Sequence, residues 1–401
     1  MRKHLITAAV LASCAAASSA YAVDIGESTT VGGVAFFDFS NISKQTQQAN
    51  GTYKDTSTAN GTGFDVKRFY LVVDHRFNDV WSANLTTDAQ YATAGSAFNA
   101  NGSNGSGGVT EVMIKKLYLT GKFADAFTVH VGAYDTPWIP FVEGLYGYRF
   151  VEKLAADRLG FGNTADWGVN ASGSFANNLV SYSTSVLNGG GYKNPSRSKD
   201  VDFEGRVGIK PLDWLTIGIG GYSGHLAQVT AVNDGNAKNS VGRIDAVIAA
   251  NYKGFRFGVE YLDAKSYKTV NSAGSLGGSG APSTIIGSSA TSLPPGDEAD
   301  GFSVFSSYAF LPEWAVFARY DDIKLSKDQA PNLKDQYFNI GVDYKPYKAI
   351  DIALVYKNEK VNDGATSISG ADANSSYTIG GVNGLTDGKF SEVGVYFQYR
   401  F

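Results

Sequence analysis

Glu392-Val393-Gly394-Val395-Tyr396-Phe397-Gln398-Tyr399-Arg400-Phe401 alternates through its whole length. Val393, Val395, Phe397, Tyr399 and Phe401 share one parity; Glu392, Gly394, Tyr396, Gln398 and Arg400 share the other. Successive side chains of a strand point to opposite faces, so the stretch reads as a strand with one apolar and one wetter face. The pattern recurs upstream. Phe255, Phe257, Val259 and Tyr261 alternate with Arg256, Gly258 and Glu260, and Val201, Phe203, Val207 and Ile209 alternate with Asp202, Glu204, Arg206 and Lys210. No stretch after residue 22 carries the roughly 18 consecutive apolar residues of a membrane helix. A chain that crosses a bilayer without helices must pair every backbone group in a closed barrel. The apolar parity then meets lipid and the polar parity a water-filled lumen.

Segments of this kind fall at 30–41, 63–76, 80–92, 110–122, 127–136, 165–175, 179–189, 200–210, 214–224, 240–252, 254–264, 299–310, 314–323, 335–345, 350–359 and 389–401. That predicts an all-β transmembrane antiparallel barrel of about sixteen strands, an even number as bacterial barrels have. The connections support the count. Every second one is tight: Asn78-Asp79, Ala124-Asp125-Ala126, Asn177-Asn178, Pro211-Leu212-Asp213, Gly254, Leu311-Pro312-Glu313 and Pro346-Tyr347-Lys348. The others are long and rich in Gly, Ser, Asn and Thr, as in Ala94–Gly108, Ser266–Asp297 and Asn362–Gly388. Short periplasmic turns alternating with long surface loops produce this rhythm. Trp81, Phe127, Trp167, Trp214 and Trp314 are expected beside the short turns, as part of an interfacial girdle.

Residues 1–22 read as a signal peptide: Arg2 and Lys3, the apolar run Leu5–Leu11, then Ala20-Tyr21-Ala22 as the cleavage site. The barrel is expected to occupy 23–401. Leu11-Ala12-Ser13-Cys14 also resembles a lipoprotein box, in which Cys14 would be lipidated instead. Cys14 is the one cysteine, so cleavage after Ala22 leaves no disulfide or thiolate metal site. Loss of Arg2 and Lys3 takes the net charge from −4 to −6. That balance gives no electrostatic reason to bind nucleic acid. His75, His130 and His225 lack a nucleophile elbow or a paired-His metal motif, so neither an enzyme nor a cofactor is expected. The Gly-rich runs read as loop tips.

The third long connection, about 137–164, differs from its neighbours. It is apolar, aromatic and charged, from Pro137-Trp138-Ile139-Pro140-Phe141 to Val151-Glu152-Lys153-Leu154 and Asp157-Arg158-Leu159. A loop left in water gains nothing from so many large apolar groups, each worth roughly 1.5–3 kcal/mol when buried. It is therefore expected to fold into the barrel, with a short helix over 150–159. Glu143, Tyr148, Arg149, Glu152, Lys153, Asp157 and Arg158 are the candidate constriction residues, with the charged ones facing solute.

Asp135-Thr136-Pro137-Trp138, Glu143 and Tyr146-Gly147-Tyr148-Arg149 resemble the phosphate-selective O- and P-type porins and their wider relatives. Asp166-Trp167-Gly168-Val169, Gly173-Ser174-Phe175 and Val186-Leu187-Asn188-Gly189 continue the resemblance. It implies a sixteen-stranded outer-membrane channel, usually a homotrimer, whose third loop forms the constriction. Phe401 with Tyr399 and Phe397 resembles the carboxy-terminal signature read by the barrel assembly machinery, and outer-membrane lipid and lipopolysaccharide are the expected surroundings. By parity Arg68, Lys116, Arg206, Lys210, Arg243, Arg256, Arg319 and Lys357 line the pore, alongside Asp74, Asp88, Asp202, Glu204, Asp245, Glu260, Asp321 and Asp343. This mixture argues against a one-sign ladder for phosphate. Passive diffusion of small hydrophilic solutes, with anions among them, is the expected function. A barrel acting as a surface adhesin or receptor is the alternative.

Overall fold

The computed structural model describes residues 23–24, 28–55, 60–92, 109–195, 197–227, 240–267, 297–328, 330–372, 375–380 and 387–401. The signal peptide, its Ala22 boundary and Cys14 lie outside them. Sixteen long strands form the barrel: β1 (Thr29–Gln47), β2 (Gly61–Arg76), β3 (Trp81–Ala92), β4 (Val109–Ala124), β5 (Phe127–Asp135), β6 (Ala165–Phe175), β7 (Val180–Leu187) and β8 (Asp202–Leu212) come first. Then follow β9 (Leu215–Gly224), β10 (Val241–Tyr252), β11 (Phe255–Lys265), β12 (Glu298–Leu311), β13 (Trp314–Lys324), β14 (Lys334–Tyr347), β15 (Ile350–Asn362) and β16 (Gly388–Arg400). Each pairs antiparallel with the next, and β16 pairs with β1 from Val34↔Arg400 to Thr46↔Gly388, which closes the cylinder. Closure leaves no unpaired edge. At the seam Phe401 and Gly33 exchange backbone hydrogen bonds of 2.8 and 3.1 Å. Only a glycine fits there, because a Cβ at residue 33 would sit 2.4 Å from the Phe401 ring.

Burial is inverted relative to a soluble sheet. Val207, Ile219, Ile248 and Leu354 face outward and are exposed, whereas Asp202, Asp245, Asp321 and Asn339 face inward and are buried. The short connections behave as turn chemistry requires. Lys253 and Gly254 both take positive φ, 49° and 82°, the geometry of a two-residue hairpin turn. Asn78 Oδ1 accepts from the backbone of Val80 and Trp81 at 2.9 and 2.8 Å. Trp81, Phe127, Trp214 and Trp314 lie next to such turns with exposed rings. Trp167 does not. It begins β6 at the long-connection end, half-buried, and its indole N–H donates to the Tyr192 carbonyl at 3.1 Å. Its neighbourhood in the sequence, just after a long loop, already carried that information.

Two departures from strict alternation matter for the lumen. Register shifts between Phe36/Phe37 and between Thr86/Thr87 place bulges opposite them in β2 and β4. The extra residues are Lys67 and Lys115. A bulge puts two successive side chains on one face, so Lys67 joins Arg68, and Lys115 joins Lys116, on the inner wall.

Candidate channel constriction

The connection from Thr136 to Thr164 contains α1 (Ile139–Tyr146) and the single turn α2 (Ala155–Arg158). The helix expected over 150–159 is thus confined to its second half, with Leu154 extended. The main helix starts earlier because Pro140 sits in its first turn, where a missing N–H costs no hydrogen bond. Gly147 ends it with φ 79°. The absent side chain has a second use: a Cβ there would lie 1.6 Å from Arg256 Nη1.

This connection packs against lumenal side chains of many strands. The Trp138 backbone N–H donates to Glu204 Oε1 at 3.1 Å, and its indole N–H to Glu260 Oε1 at 2.9 Å. Arg256 donates to the Tyr146 carbonyl at 3.0 Å. The Tyr148 ring stacks on Phe317 at 4.1 Å, and Phe150 approaches Phe36 at 6.5 Å. Arg158 meets Asp335 at 2.6 Å, Asp321 at 3.4 Å and also Glu359. Lys357 reaches Glu152 at 3.2 Å. Thr136 Oγ1 donates to the Asn163 carbonyl at 2.5 Å, tying the two ends of the connection, and Asp135 pairs with Lys116 at 2.6 Å. Pro137, Trp138, Ile139, Val142, Leu154 and Leu159 are buried.

The charges of the connection divide into two groups. Glu143 and Arg149 pair at 2.6 Å beside a cavity of about 680 Å³ that also touches Tyr148, Lys116, Asp135 and Arg256. Burial pushes the Glu143 carboxyl up, with Arg149 opposing it. Arg158, by contrast, is 1% exposed and does not line that cavity. The expectation that Arg158, Lys153 and Glu152 face solute is corrected. All three are buried and none lines the cavity: α2 carries Arg158 to the wall carboxylates, Glu152 meets Lys357, and Lys153 turns to Asp157 within the connection. Burial would raise the Glu152 carboxyl, but Lys357, Lys67 and Arg158 hold it at about 2. Burial lowers the Lys153 ammonium to about 8 against the opposing pull of Asp157, 3.5 Å away. Asp157 is held below its ordinary range by Lys153 and Arg149 despite its burial.

The parity-derived wall residues divide as well. Lys116 and Arg256 touch the cavity. Arg243 binds Glu204 and Asp245 at 3.0 and 2.7 Å, and Arg319 binds Asp321 at 2.5 Å, both beneath the connection rather than on the cavity. Arg68 faces Asp88 at 3.6 Å, and Arg206 lies over the Phe141 ring at 4.2 Å. Parity assigns a face correctly, yet it cannot say what covers that face. Residues that alternation missed are Lys67 and Lys115, displaced inward by the bulges; Tyr70, Lys345 and Arg400 hold the lumenal parity and line the cavity although they are outside the candidate set. The signal for the bulges was present: Val66-Lys67-Arg68-Phe69 and Ile114-Lys115-Lys116-Leu117 each set two adjacent cations between apolar residues.

A closed sixteen-stranded barrel with an apolar outside, a polar inside and a long third connection packed against its inner wall is a specific architecture. The fold is that of an outer-membrane porin. Residues 40–205 match the family described as phosphate-selective porin O and P. No curated protein matches the chain in sequence. Among solved structures, the anion-selective porin of Comamonas acidovorans is similar over 93% of this chain and 99% of its own, with TM-score 0.59 and 11% identity. OmpF of Salmonella typhi, solved with daunomycin, is similar over 95% and 100%, with TM-score 0.57 and 10% identity. The outer-membrane channel DcaP of Acinetobacter baumannii is similar over 93% and 97%, with TM-score 0.56 and 14% identity. A porin barrel belongs in the bacterial outer membrane, where its exposed apolar wall meets lipid.

Proposed function

We propose that the chain forms a passive channel for small hydrophilic solutes across the bacterial outer membrane, narrowed by the Thr136–Thr164 connection. The observation that carries this reading is the set of contacts from that connection to β8, β10, β11, β13, β14 and β15. They hold charged groups at fixed positions inside the barrel. Glu143, Tyr148 and Arg149 are the solute-facing members. Six cations and four carboxylates border the cavity, and this supports a mild preference for anions rather than a phosphate ladder. The reading involves no catalytic step. Family resemblance further supports a homotrimer, insertion by the barrel assembly machinery through the Phe401 signature, and contact with lipid and lipopolysaccharide.

Planar-bilayer recording of purified protein tests it. Wild-type protein is expected to give discrete conductance steps in potassium chloride, and deletion of residues 144–156 to enlarge them and admit bulkier sugars in liposome swelling. A deletion that folds normally and conducts like wild type would mean that the connection does not set the pore.

A further inference from the structure

We propose that the cavity beside the constriction is a binding site for amphipathic monocarboxylates, preferring an aromatic acid to acetate or to inorganic phosphate. This rests on the channel reading and names the solute class it favours.

The first observation is a contrast among cations. Lys67, Arg68, Lys116 and Arg149 each lie within 4 Å of a carboxylate. Lys115 and Arg256, which both border the cavity, have no carboxylate at that distance among the described residues. Lys115 Nζ donates to the Tyr70 hydroxyl at 3.0 Å and lies 4.2 Å from its ring centroid. Arg256 spends one N–H on the Tyr146 carbonyl. A guanidinium and an ammonium so placed keep donors available for an anion that arrives with the solute.

The second observation is what joins them. Tyr70 meets Phe36 edge-on at 5.8 Å, Phe36 meets Phe150 at 6.5 Å, and Phe150 meets Tyr148 at 6.1 Å. Tyr148 follows Gly147, which lies directly against Arg256 Nη1, and Tyr148 and Arg256 border the same cavity. One unpaired cation is thus connected to the other by a continuous band of four rings, three of which border the cavity. A small hydrated ion makes no use of such a band. A solute with a flat apolar body and a single carboxylate uses both features: its ring stacks on the band while its charge passes between Lys115 and Arg256. A phosphate dianion would need converging donors and would face Asp135 and Glu143 on the same cavity. The volume, about 680 Å³, suits an organic acid.

The test uses purified full-length protein in planar bilayers, with benzoate, acetate and phosphate as probes. Conductance in potassium chloride is measured first; its absence overturns the channel reading itself. In a conducting channel, benzoate is expected to interrupt chloride current at lower concentration than acetate or phosphate, by on the order of tenfold. The double variant Lys115→Gln/Arg256→Gln should lose that difference while still conducting chloride, and Tyr148→Val should weaken it. Should the double variant fail to assemble, the wild-type comparison and Lys115→Gln alone decide. Acetate or phosphate acting as strongly as benzoate in the wild type overturns the proposal and leaves the channel standing. So does full retention of the benzoate effect in the assembled variants.

Discussion

Two stretches of the same inner wall use similar residues for opposite ends. From β8 to β15, carboxylates and cations are consumed by the third connection: Arg158 against Asp321, Asp335 and Glu359, Lys357 against Glu152, and Glu260 against the Trp138 indole. From β1 to β4, the bulges crowd Lys67, Arg68, Lys115 and Lys116 inward, and Lys115 and Lys116 border open space. Beneath the connection the charges of the first stretch pair with it or with one another, and among its described cations only Arg256 and Lys345 reach the cavity. In the second, Lys67, Arg68 and Lys116 face carboxylates, and Lys115 on the cavity keeps its charge for whatever enters. Buried pairs add little net stability against an apolar alternative, but removing one partner strands the other. The charges paired beneath the connection therefore specify where it sits, and the charges on the cavity specify what it sees.

The comparison breaks most easily at Arg158. Replacing it with Met leaves Asp335 and Glu359 buried without their cation, while Asp321 keeps Arg319, at a cost of about 3–5 kcal/mol. The expected result is a lower urea midpoint for the heat-modifiable folded band and noisy conductance as the connection loosens. An unchanged midpoint with quiet channels would mean that Arg158 does not hold the connection in place. Next in size is a control on the outer wall. Ile219 is 62% exposed in the middle of β9, and Ile219→Arg should cost about 2–4 kcal/mol by placing a cation in lipid. Folding yields into bilayers measure it. A tolerated arginine there would invert the assignment of inside and outside on which both stretches depend. The smallest effect concerns Lys153, lowered to about 8 by burial. Its charge is present at neutral pH and lost as pH rises through 8, so anion preference should fall between pH 7 and 9. Reversal potentials in a chloride gradient report this, and Lys153→Met should flatten the profile. A step of equal size in that variant would assign the titration elsewhere.

The strands were legible because alternation with period two is a local property that survives without knowledge of partners. Thr29–Gln47 and Ile350–Asn362 extend a few residues beyond the expected 30–41 and 350–359, because paired strands continue above the region in which lipid demands apolar side chains. The last long connection has the composition of a plain loop, yet Ala365–Asp372 and Ser375–Gly380 pair within it as a hairpin. Its Gly, Ser and Asn content hides a two-stranded pairing that buries Ile368 and Ile379. Within the loop, the excess of apolar and charged residues marks Glu143, Tyr148, Arg149 and Arg158 alike; pattern alone does not tell that the first three border the cavity and that Arg158 is buried against the wall.

By itself the sequence determined the barrel, the number of its strands, the alternation of turns and loops, and the one connection too apolar for water. Each follows from the solvent a residue meets, lipid, water or protein, and that is written into short-range pattern. Only the tertiary structure decided which cations are spent and which remain. Arg158 and Glu359 are about two hundred residues apart, and their meeting depends on barrel closure and on the path of α2. Likewise the adjacent cations Lys115 and Lys116 mark a bulge in the sequence, but the register of β4 against its neighbour decides that Lys115 is the extra residue and turns inward.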